Sequence, residues 1–288
     1  MPSLRTLAGV VVMLAGAATP VVAQTLDSVD STRSSRDTSA GVVRESAPWV
    51  TRRDLFSLGA AFAATAALAP LDRPISQEFA EPRWKQSRRL HHIAGDVAFF
   101  GGDGPFVSSA VILAAGAATG SPGLRRFAVH NMEAIALATA ITGIGKGITG
   151  RALPGVNTRH AFQLGRGFHE ANGPFVSFPS GHTAAAFAMA ATVSGELQLA
   201  DSSKATMISR FAFGAAGAVG VARVVQRMHW PSDLPLAVVI GTWSGRAVQA
   251  HADQGGKVGA VLRGLTIGRS ANGRTQLGWS SLAADAAR

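Results

Sequence analysis

The chain has 288 residues and a net charge of +10, and 47% of its residues are hydrophobic while only 15% are charged. This balance excludes a mainly disordered protein, and the absence of cysteine excludes a disulfide scaffold, an iron–sulfur protein and thiol catalysis. The positive charge indicates an anionic partner, but the charge alone leaves the class of anion open.

The N-terminus has the pattern of an export signal. Arg5 supplies positive charge, residues 7–18 form a short apolar segment, and residues 21–23 read Val-Val-Ala, with small residues at the cleavage position. We therefore predict a signal peptide over residues 1–23, with an uncleaved membrane anchor as the alternative. The following residues, 24–52, are polar and lack apolar periodicity, and we predict a flexible, disordered linker there.

Residues 53–250 contain six apolar stretches, each longer than a typical strand and rich in good helix formers. They cover residues 55–71, 97–119, 127–148, 183–200, 207–225 and 234–250. We predict an all-α domain, a helical bundle of about six core helices. Only one stretch approaches the ~20 residues that a membrane span requires with a single charge, so a soluble exported bundle and a membrane-embedded bundle both stay open.

The last residues, 251–288, differ from the body of the chain. Residues 271–274 read Ala-Asn-Gly-Arg between two short segments that contain β-forming residues, and Asn-Gly is a strong signal for a two-residue hairpin turn. We predict a C-terminal tail with a short β-hairpin, to which the sequence assigns no chemistry.

Residues 179–183, Pro-Ser-Gly-His-Thr, open the fourth apolar stretch. Ser180 has the side chain of a helix N-cap, and Gly181 permits a close approach of the backbone to a ligand. The free N–H groups and the dipole of a helix N-terminus bind anions. His182 in the first turn is placed to give a proton to a leaving oxygen, whereas the bland alternative is an ordinary capped helix start.

A second group of polar residues follows the fifth apolar stretch. His229 and Asp233 are four residues apart, so the carboxylate can hold one imidazole nitrogen and leave the other as a nucleophile. Arg223 offers a planar fork suited to phosphate oxygens. Upstream, Lys146 ends the third stretch; taken alone, it reads as a solvated charge at a helix end.

Together these segments resemble the type 2 phosphatidic acid phosphatase / vanadium haloperoxidase superfamily, whose signature is Lys-x6-Arg-Pro, then Pro-Ser-Gly-His, then Ser-Arg-x5-His-x3-Asp. The resemblance covers about residues 85–250, and the second motif is complete. The third motif departs at one position, where Ala222 replaces its Ser. The first keeps Lys146 and Pro154 but has Leu153 in place of its Arg, which removes one phosphate ligand.

The resemblance implies a role for each matching residue. His229 attacks phosphorus and becomes a phosphohistidine, Asp233 orients and charges it, and His182 protonates the leaving group and then activates water. The implied holders of the phosphate oxygens are Lys146, Ser180, Gly181 and Arg223. We predict that Arg151 replaces the arginine missing at position 153, with Arg159 and Arg166 as further candidates. No metal or other cofactor is expected, although vanadate fits the same site.

The expected function is a metal-independent, acid-phosphatase-like hydrolase of phosphoric monoesters or diphosphates. Lipid phosphates or isoprenoid diphosphates are the expected substrates if the protein is membrane-bound, and small organic phosphates if it is soluble; nucleic acid is not an expected partner. The expected location is the cell envelope, periplasmic or embedded with the active site on the outer face. A vanadium-dependent haloperoxidase and a non-catalytic binder of anionic lipid head groups are the alternatives.

Overall fold

The structure is a computed structural model that describes residues 48–156, 158, 160–169, 173–199, 204–251, 265–269 and 275–279. The predicted signal peptide, residues 1–23, and nearly all of the predicted linker, residues 24–52, lie outside these ranges. The α-helices are α1 Arg52–Leu68, α2 Asp72–Ala80, α3 Pro82–Lys85, α4 Arg88–Phe99, α5 Gly104–Thr119, α6 Pro122–Thr149, α7 Gly181–Leu199, α8 Ala205–Val225 and α9 Leu234–His251. Short 3-10 turns occupy Ala69–Leu71, Arg166–His169 and Pro231–Asp233. The described domain is therefore all-α, as predicted.

Two predicted helices have different bounds in the structure. Helix α1 begins at a capping box, in which Asp54 N–H donates to Thr51 Oγ1 and Thr51 N–H donates to Asp54 Oδ2. It continues through a 3-10 turn into α2. The single helix predicted over residues 97–119 is wrong, because the chain breaks between α4 and α5, which meet at an angle of 48°. The break contains Gly101 and Gly102, which disfavour helix.

Small residues allow the central helices to approach closely. Helix α7 packs against α6, α8 and α9. A side chain at Gly241 of α9 would collide with the carbonyl of Ala184 on α7, and a Cβ at Gly245 would lie 2.6 Å from the Cβ of Ala191. This small-x3-small spacing is a common device for close helix pairs. The Ala- and Gly-rich composition therefore places the first turns of α7 and α9 side by side.

The helix directions define two ends of the bundle. At one end, which we call the motif end, α6 and α8 finish while α7 and α9 begin, so the three sequence motifs meet there. At the other, which we call the far end, α1 begins and α7 and α9 finish. Far-end contacts include Arg246 with Asp54 at 2.9 Å and Arg126 with Glu196 at 3.0 Å.

The outer surface of the bundle is apolar over long stretches. Among the described residues, three helical segments are long and apolar enough to cross a membrane, namely 52–80, 122–149 and 205–225, and the bent pair α4–α5 would make a fourth. Large apolar side chains point outward on two of these segments, including Phe56 and Phe211, which are 65% and 78% exposed. An exposed apolar surface of this kind is suited to contact with lipid.

Two strands are described in the C-terminal tail. Strand β1 Leu265–Arg269 pairs antiparallel with β2 Thr275–Trp279, with Leu265 opposite Trp279 and Arg269 opposite Thr275. Residues 270–274, which contain the predicted turn, lie outside the described residues.

Candidate active site

His229 lies in the segment that joins α8 to α9. The chain turns at Arg227, which has a positive φ of 57°, and the imidazole that follows is 4% exposed. Its Nδ1 lies 2.7 Å from the carbonyl oxygen of Ser177 and 3.4 Å from Asp233 Oδ2. Because a carbonyl oxygen can only accept, Nδ1 carries the proton and Nε2 keeps its lone pair. The predicted Asp233 contact is present, but the carbonyl of Ser177 is nearer.

Asp233 ends the 3-10 turn before α9 and is fully buried. Its Oδ2 accepts hydrogen bonds from Ser177 Oγ at 2.6 Å and from Trp230 N–H at 2.8 Å, and its Oδ1 accepts one from Arg151. Several donors therefore fix the carboxylate beside His229. This arrangement satisfies the buried charge, whose desolvation would otherwise be costly.

The Pro-Ser-Gly-His segment enters α7 beside this turn. The backbone N–H of Ser180 donates to the carbonyl of Asp233 at 3.2 Å, which ties the second motif to the third. Ser180 Oγ accepts from Thr183 N–H at 3.4 Å and lies 2.8 Å from Thr183 Oγ1, so it caps the helix as predicted. The first turn of α7 leaves the N–H groups of Gly181 and His182 without partners inside the helix.

The break between α4 and α5 packs against His182. A Cβ at Gly101 would lie 2.5 Å from the carbonyl oxygen of His182, and one at Gly102 would lie 3.1 Å from its Nε2. Burial lowers the pKa of His182 to about 3, and the neighbouring Arg223, His229 and Lys146 act in the same direction. His182 is therefore neutral at ordinary pH.

Two cations complete the site. Lys146, near the end of α6, brings its Nζ to 3.5 Å from the position that a Cβ on Gly181 would take. Arg223 donates from Nη1 to Gln226 Oε1 at 2.9 Å, while its buried Nε has no hydrogen-bond partner among the described residues. A bound phosphate oxygen would supply the missing acceptor.

His229 sits among these charges. Burial lowers the pKa of His229 and the cations of Lys146 and Arg223 add to this, whereas the hydrogen bond and the charge of Asp233 oppose it. The predicted residues His182, His229, Asp233, Lys146 and Arg223 are thus close enough to act on one another's ionisation. The arrangement places two neutral imidazoles, those of His182 and His229, beside the cations of Lys146 and Arg223.

Arg151 is placed differently from the prediction that it holds phosphate. It is buried, with Nη1 donating to Ser232 Oγ and to Asp233 Oδ1 and Nη2 donating to Asp72 Oδ2 at 2.6 Å. Both terminal nitrogens are therefore committed to protein oxygens behind the catalytic carboxylate. These contacts place its terminal nitrogens in the support of Asp233, while its buried Nε has no hydrogen-bond partner among the described residues.

Arg166, a further candidate for the missing arginine, makes other contacts in the structure. The guanidinium of Arg166 stacks 3.8 Å from the ring centroid of Phe175 and donates from Nη1 to Gln163 Oε1. Arg159 lies outside the described residues. Leu153 itself is anchored through its backbone N–H, which donates to the carbonyl of Pro174 at 2.8 Å.

The motifs alone did not identify Asp72, Ser177 or the Gly101–Gly102 turn. Asp72 has a weak sequence signal, because it is a lone carboxylate that directly follows an apolar stretch. Ser177 acts partly through its backbone carbonyl, which no residue type encodes. No group of three or more His, Cys, Asp or Glu placed to share a metal ion is found in the part of the chain that the structure describes.

Comparison with known proteins agrees with this geometry. The model of the PAP2 superfamily matches residues 127–253, a range that includes all three motifs. A solved structure described as the first transmembrane PAP2-type phosphatidylglycerolphosphate phosphatase from Bacillus subtilis has a similar fold. Its TM-score is 0.54 at 17% identity, covering 72% of this chain and 99% of that one. No curated protein matches the sequence. The family match therefore confirms the resemblance to the PAP2 superfamily over residues 127–253.

Proposed function

We propose that this protein hydrolyses phosphoric monoesters or diphosphates carried by lipids, through a phosphohistidine intermediate on His229. Its class, a phosphatase, rests on the family match and on the agreement of its fold with that of a PAP2-type phosphatase. The observation that carries the mechanism is the environment of His229: Nδ1–H donates to the carbonyl of Ser177, which leaves Nε2 as the free nucleophile.

In the first half-reaction, Nε2 of His229 attacks phosphorus and the bond from phosphorus to the leaving oxygen breaks. The imidazole then carries the phosphoryl group on Nε2 and a proton on Nδ1, so its ring is positively charged. The adjacent carboxylate of Asp233, 3.4 Å from Nδ1, stabilises that charge.

His182 supplies the proton that the leaving oxygen needs. Before a phosphate binds it is neutral, because burial and the surrounding cations lower its pKa to about 3. A bound phosphate offsets the repulsion from Lys146 and Arg223, so the proton enters with the substrate monoanion. In the second half-reaction neutral His182 takes a proton from water, which attacks the phosphohistidine and releases inorganic phosphate.

The transferring phosphoryl group gains negative charge that must be stabilised. We assign this to Lys146, to Arg223 with its unpartnered Nε, and to the N–H groups at the start of α7, where Gly181 lies against Lys146. Ser180 supports the site by capping that helix. Fixed cations fill the role that a metal plays in many phosphoryl-transfer enzymes, so the proposed mechanism assigns no step to a metal.

Lipid phosphates are favoured over soluble phosphates by the surface of the bundle. Apolar side chains such as Phe56 and Phe211 face outward on segments that are able to cross a membrane, and the motifs lie at one end of those segments. A substrate anchored in the bilayer would bring its phosphate to the level of that end.

The test is an assay of purified protein against phosphatidylglycerol phosphate, phosphatidic acid, an isoprenoid diphosphate and p-nitrophenyl phosphate. We expect the lipid substrates to give the higher kcat/KM, and acid-labile phosphate to be trapped on wild-type protein but not on His229→Ala. Turnover without trapped phosphate in a rapid quench would contradict the covalent mechanism. Equal kcat/KM for all substrates would contradict the preference for lipids.

We propose that the protein is embedded in the cell-envelope membrane with its active site on the outer face. This orientation places Arg125 and Arg126 in the first turn of α6, and Lys204 just before α8, at the inner end of the bundle, as the positive-inside tendency favours. The cysteine-free chain permits single labels at Leu164→Cys, at the motif end, and Met207→Cys, at the far end. An impermeant maleimide added outside intact cells should label only Leu164→Cys; the reverse pattern would place the site inside.

A further inference from the structure

We infer that Asp72 is a positioning residue for the reaction, acting on Asp233 and His229 through Arg151 and Ser232. This inference rests on the proposed function. Asp72 is the first residue of α2 and lies outside the residues that the family model matches, 127–253. No motif contains it.

Asp72 is buried and accepts hydrogen bonds from both Ser232 and Arg151. Its Oδ1 accepts from Ser232 N–H at 3.0 Å, and its Oδ2 accepts from Ser232 Oγ and from Arg151 Nη2, both at 2.6 Å. Asp72 is 4% exposed and Ser232 is fully buried. Since Ser232 immediately precedes Asp233 in the same 3-10 turn, Asp72 fixes the backbone that carries the catalytic carboxylate.

Arg151 connects the two carboxylates electrostatically. It donates to Asp72 from one terminal nitrogen and to Asp233 from the other, so one positive charge is shared between two negative charges. The cluster keeps one net negative charge, and His229 Nδ1 lies 3.4 Å from Asp233 Oδ2. That charge is available to the positive ring of the phosphohistidine.

Neutralising Asp72 would change this balance without touching the phosphate ligands. In Asp72→Asn, Arg151 faces a single carboxylate and cancels its charge, so the phosphohistidine loses stabilisation. We expect kcat to fall about 10- to 100-fold, in the range seen when an outer-shell partner is removed. KM should stay within about twofold, because Lys146 and Arg223 are unchanged. Asp72→Glu, which keeps the charge, should restore part of the lost kcat.

Asp54 provides the matched control. It is another buried carboxylate, on α1, and accepts from Arg246 at 2.9 Å at the far end. Asp54→Asn should lower Tm about as much as Asp72→Asn while leaving kcat within about twofold. Equal losses of kcat in the two variants would show that Asp72 is merely structural and would overturn the inference.

A binding measurement separates this inference from the proposed function. We expect orthovanadate, which mimics five-coordinate phosphorus, to bind to His229 without turnover, so its Kd should rise at least tenfold in Asp72→Asn and stay unchanged in Asp54→Asn. If wild-type protein binds vanadate with this pattern but hydrolyses no phosphate ester, the proposed function fails and the role of Asp72 stands. If the wild type hydrolyses lipid phosphate and Asp72→Asn changes neither kcat nor the vanadate Kd, the inference fails alone. A wild type that neither binds vanadate nor hydrolyses overturns both.

Discussion

The two ends of the bundle use the same residue types to opposite effect. At the far end, Glu196 accepts from both His130 and Arg126, and Asp54 accepts from Arg246. At the motif end, Lys146, Arg223 and two histidines act on one another's ionisation, and Arg223 Nε has no partner among the described residues. The far-end carboxylates Glu196 and Asp54 are each paired with a cation of the chain, whereas Arg223 at the motif end keeps a buried donor that a ligand can use. The difference between the two ends therefore lies in which charged groups the fold leaves available to a ligand.

Removing one histidine from each end gives the sharpest contrast. His229→Ala removes the nucleophile, so we expect turnover to fall to background. His130→Gln at the far end leaves Glu196 with Arg126, so it should lower Tm while keeping kcat within about twofold. Steady-state kinetics and thermal unfolding of both purified variants measure this. Substantial turnover by folded His229→Ala would refute its role as the nucleophile.

The second largest effect is expected at His182. His182→Ala should slow turnover by about 10²- to 10⁴-fold, the usual contribution of a general acid–base group. The loss should shrink for a substrate whose leaving group needs no proton, such as p-nitrophenyl phosphate. A rapid-quench comparison of alkyl and nitrophenyl esters measures this, and an equal loss for both would contradict proton donation.

Arginine substitutions test the difference in charge compensation directly. Arg223→Gln removes charge-assisted contacts worth about 1.5 to 3 kcal/mol, so kcat/KM should fall about 10- to 150-fold. Arg126→Gln removes a partly exposed ion pair with Glu196 and should alter kcat/KM less than threefold. Comparable losses in the two variants would show that the ends do not differ as described.

Placing the arginine of the family motif at position 153 should raise kcat/KM, and this effect is smaller than those above. Because Arg151 is committed to Asp72 and Asp233, the phosphate contact missing at position 153 is not replaced by Arg151. Leu153→Arg should therefore raise kcat/KM, by up to about tenfold for one added charged contact. Assays with a single lipid phosphate decide this, with Leu153→Met as the uncharged control. An unchanged kcat/KM for Leu153→Arg would indicate that another cation already fills the position.

The smallest predicted effect concerns the pH profile of kcat/KM. Activity should persist on the acid side of that profile. Burial lowers the pKa of His229, so the nucleophile stays neutral below its ordinary value of ~6.5. The acid limb of kcat/KM should therefore lie below pH ~6.5. Activity should fall as the pH rises through ~6, where a phosphate monoester loses the proton that reaches His182. An acid limb with its midpoint near 6.5 would contradict the lowered pKa.

The motifs and apolar stretches predicted much of the molecule. The helical bundle, the capping role of Ser180 and the proximity of His229 to Asp233 follow from residue type and spacing, whereas the proximity of His182 to that pair is implied by the family resemblance. The break at Gly101–Gly102 did not, because an apolar stretch with two glycines also fits a continuous helix. The contacts of Arg151 with Asp72 and Asp233 could not be predicted, because spacing places a residue on a loop but does not show which way its side chain points. The part played by Ser177 depends on a carbonyl, which has no sequence signature.

The bonds between Asp72 and Ser232 join residues separated by 160 positions. During synthesis, the carboxylate leaves the ribosome long before the turn that it holds. A nascent chain or a fragment that begins after α2 therefore lacks part of its catalytic support even when every motif residue is present. Full activity therefore requires that the whole bundle has assembled. Two separately expressed segments, 1–86 and 87–288, should gain activity only when they associate.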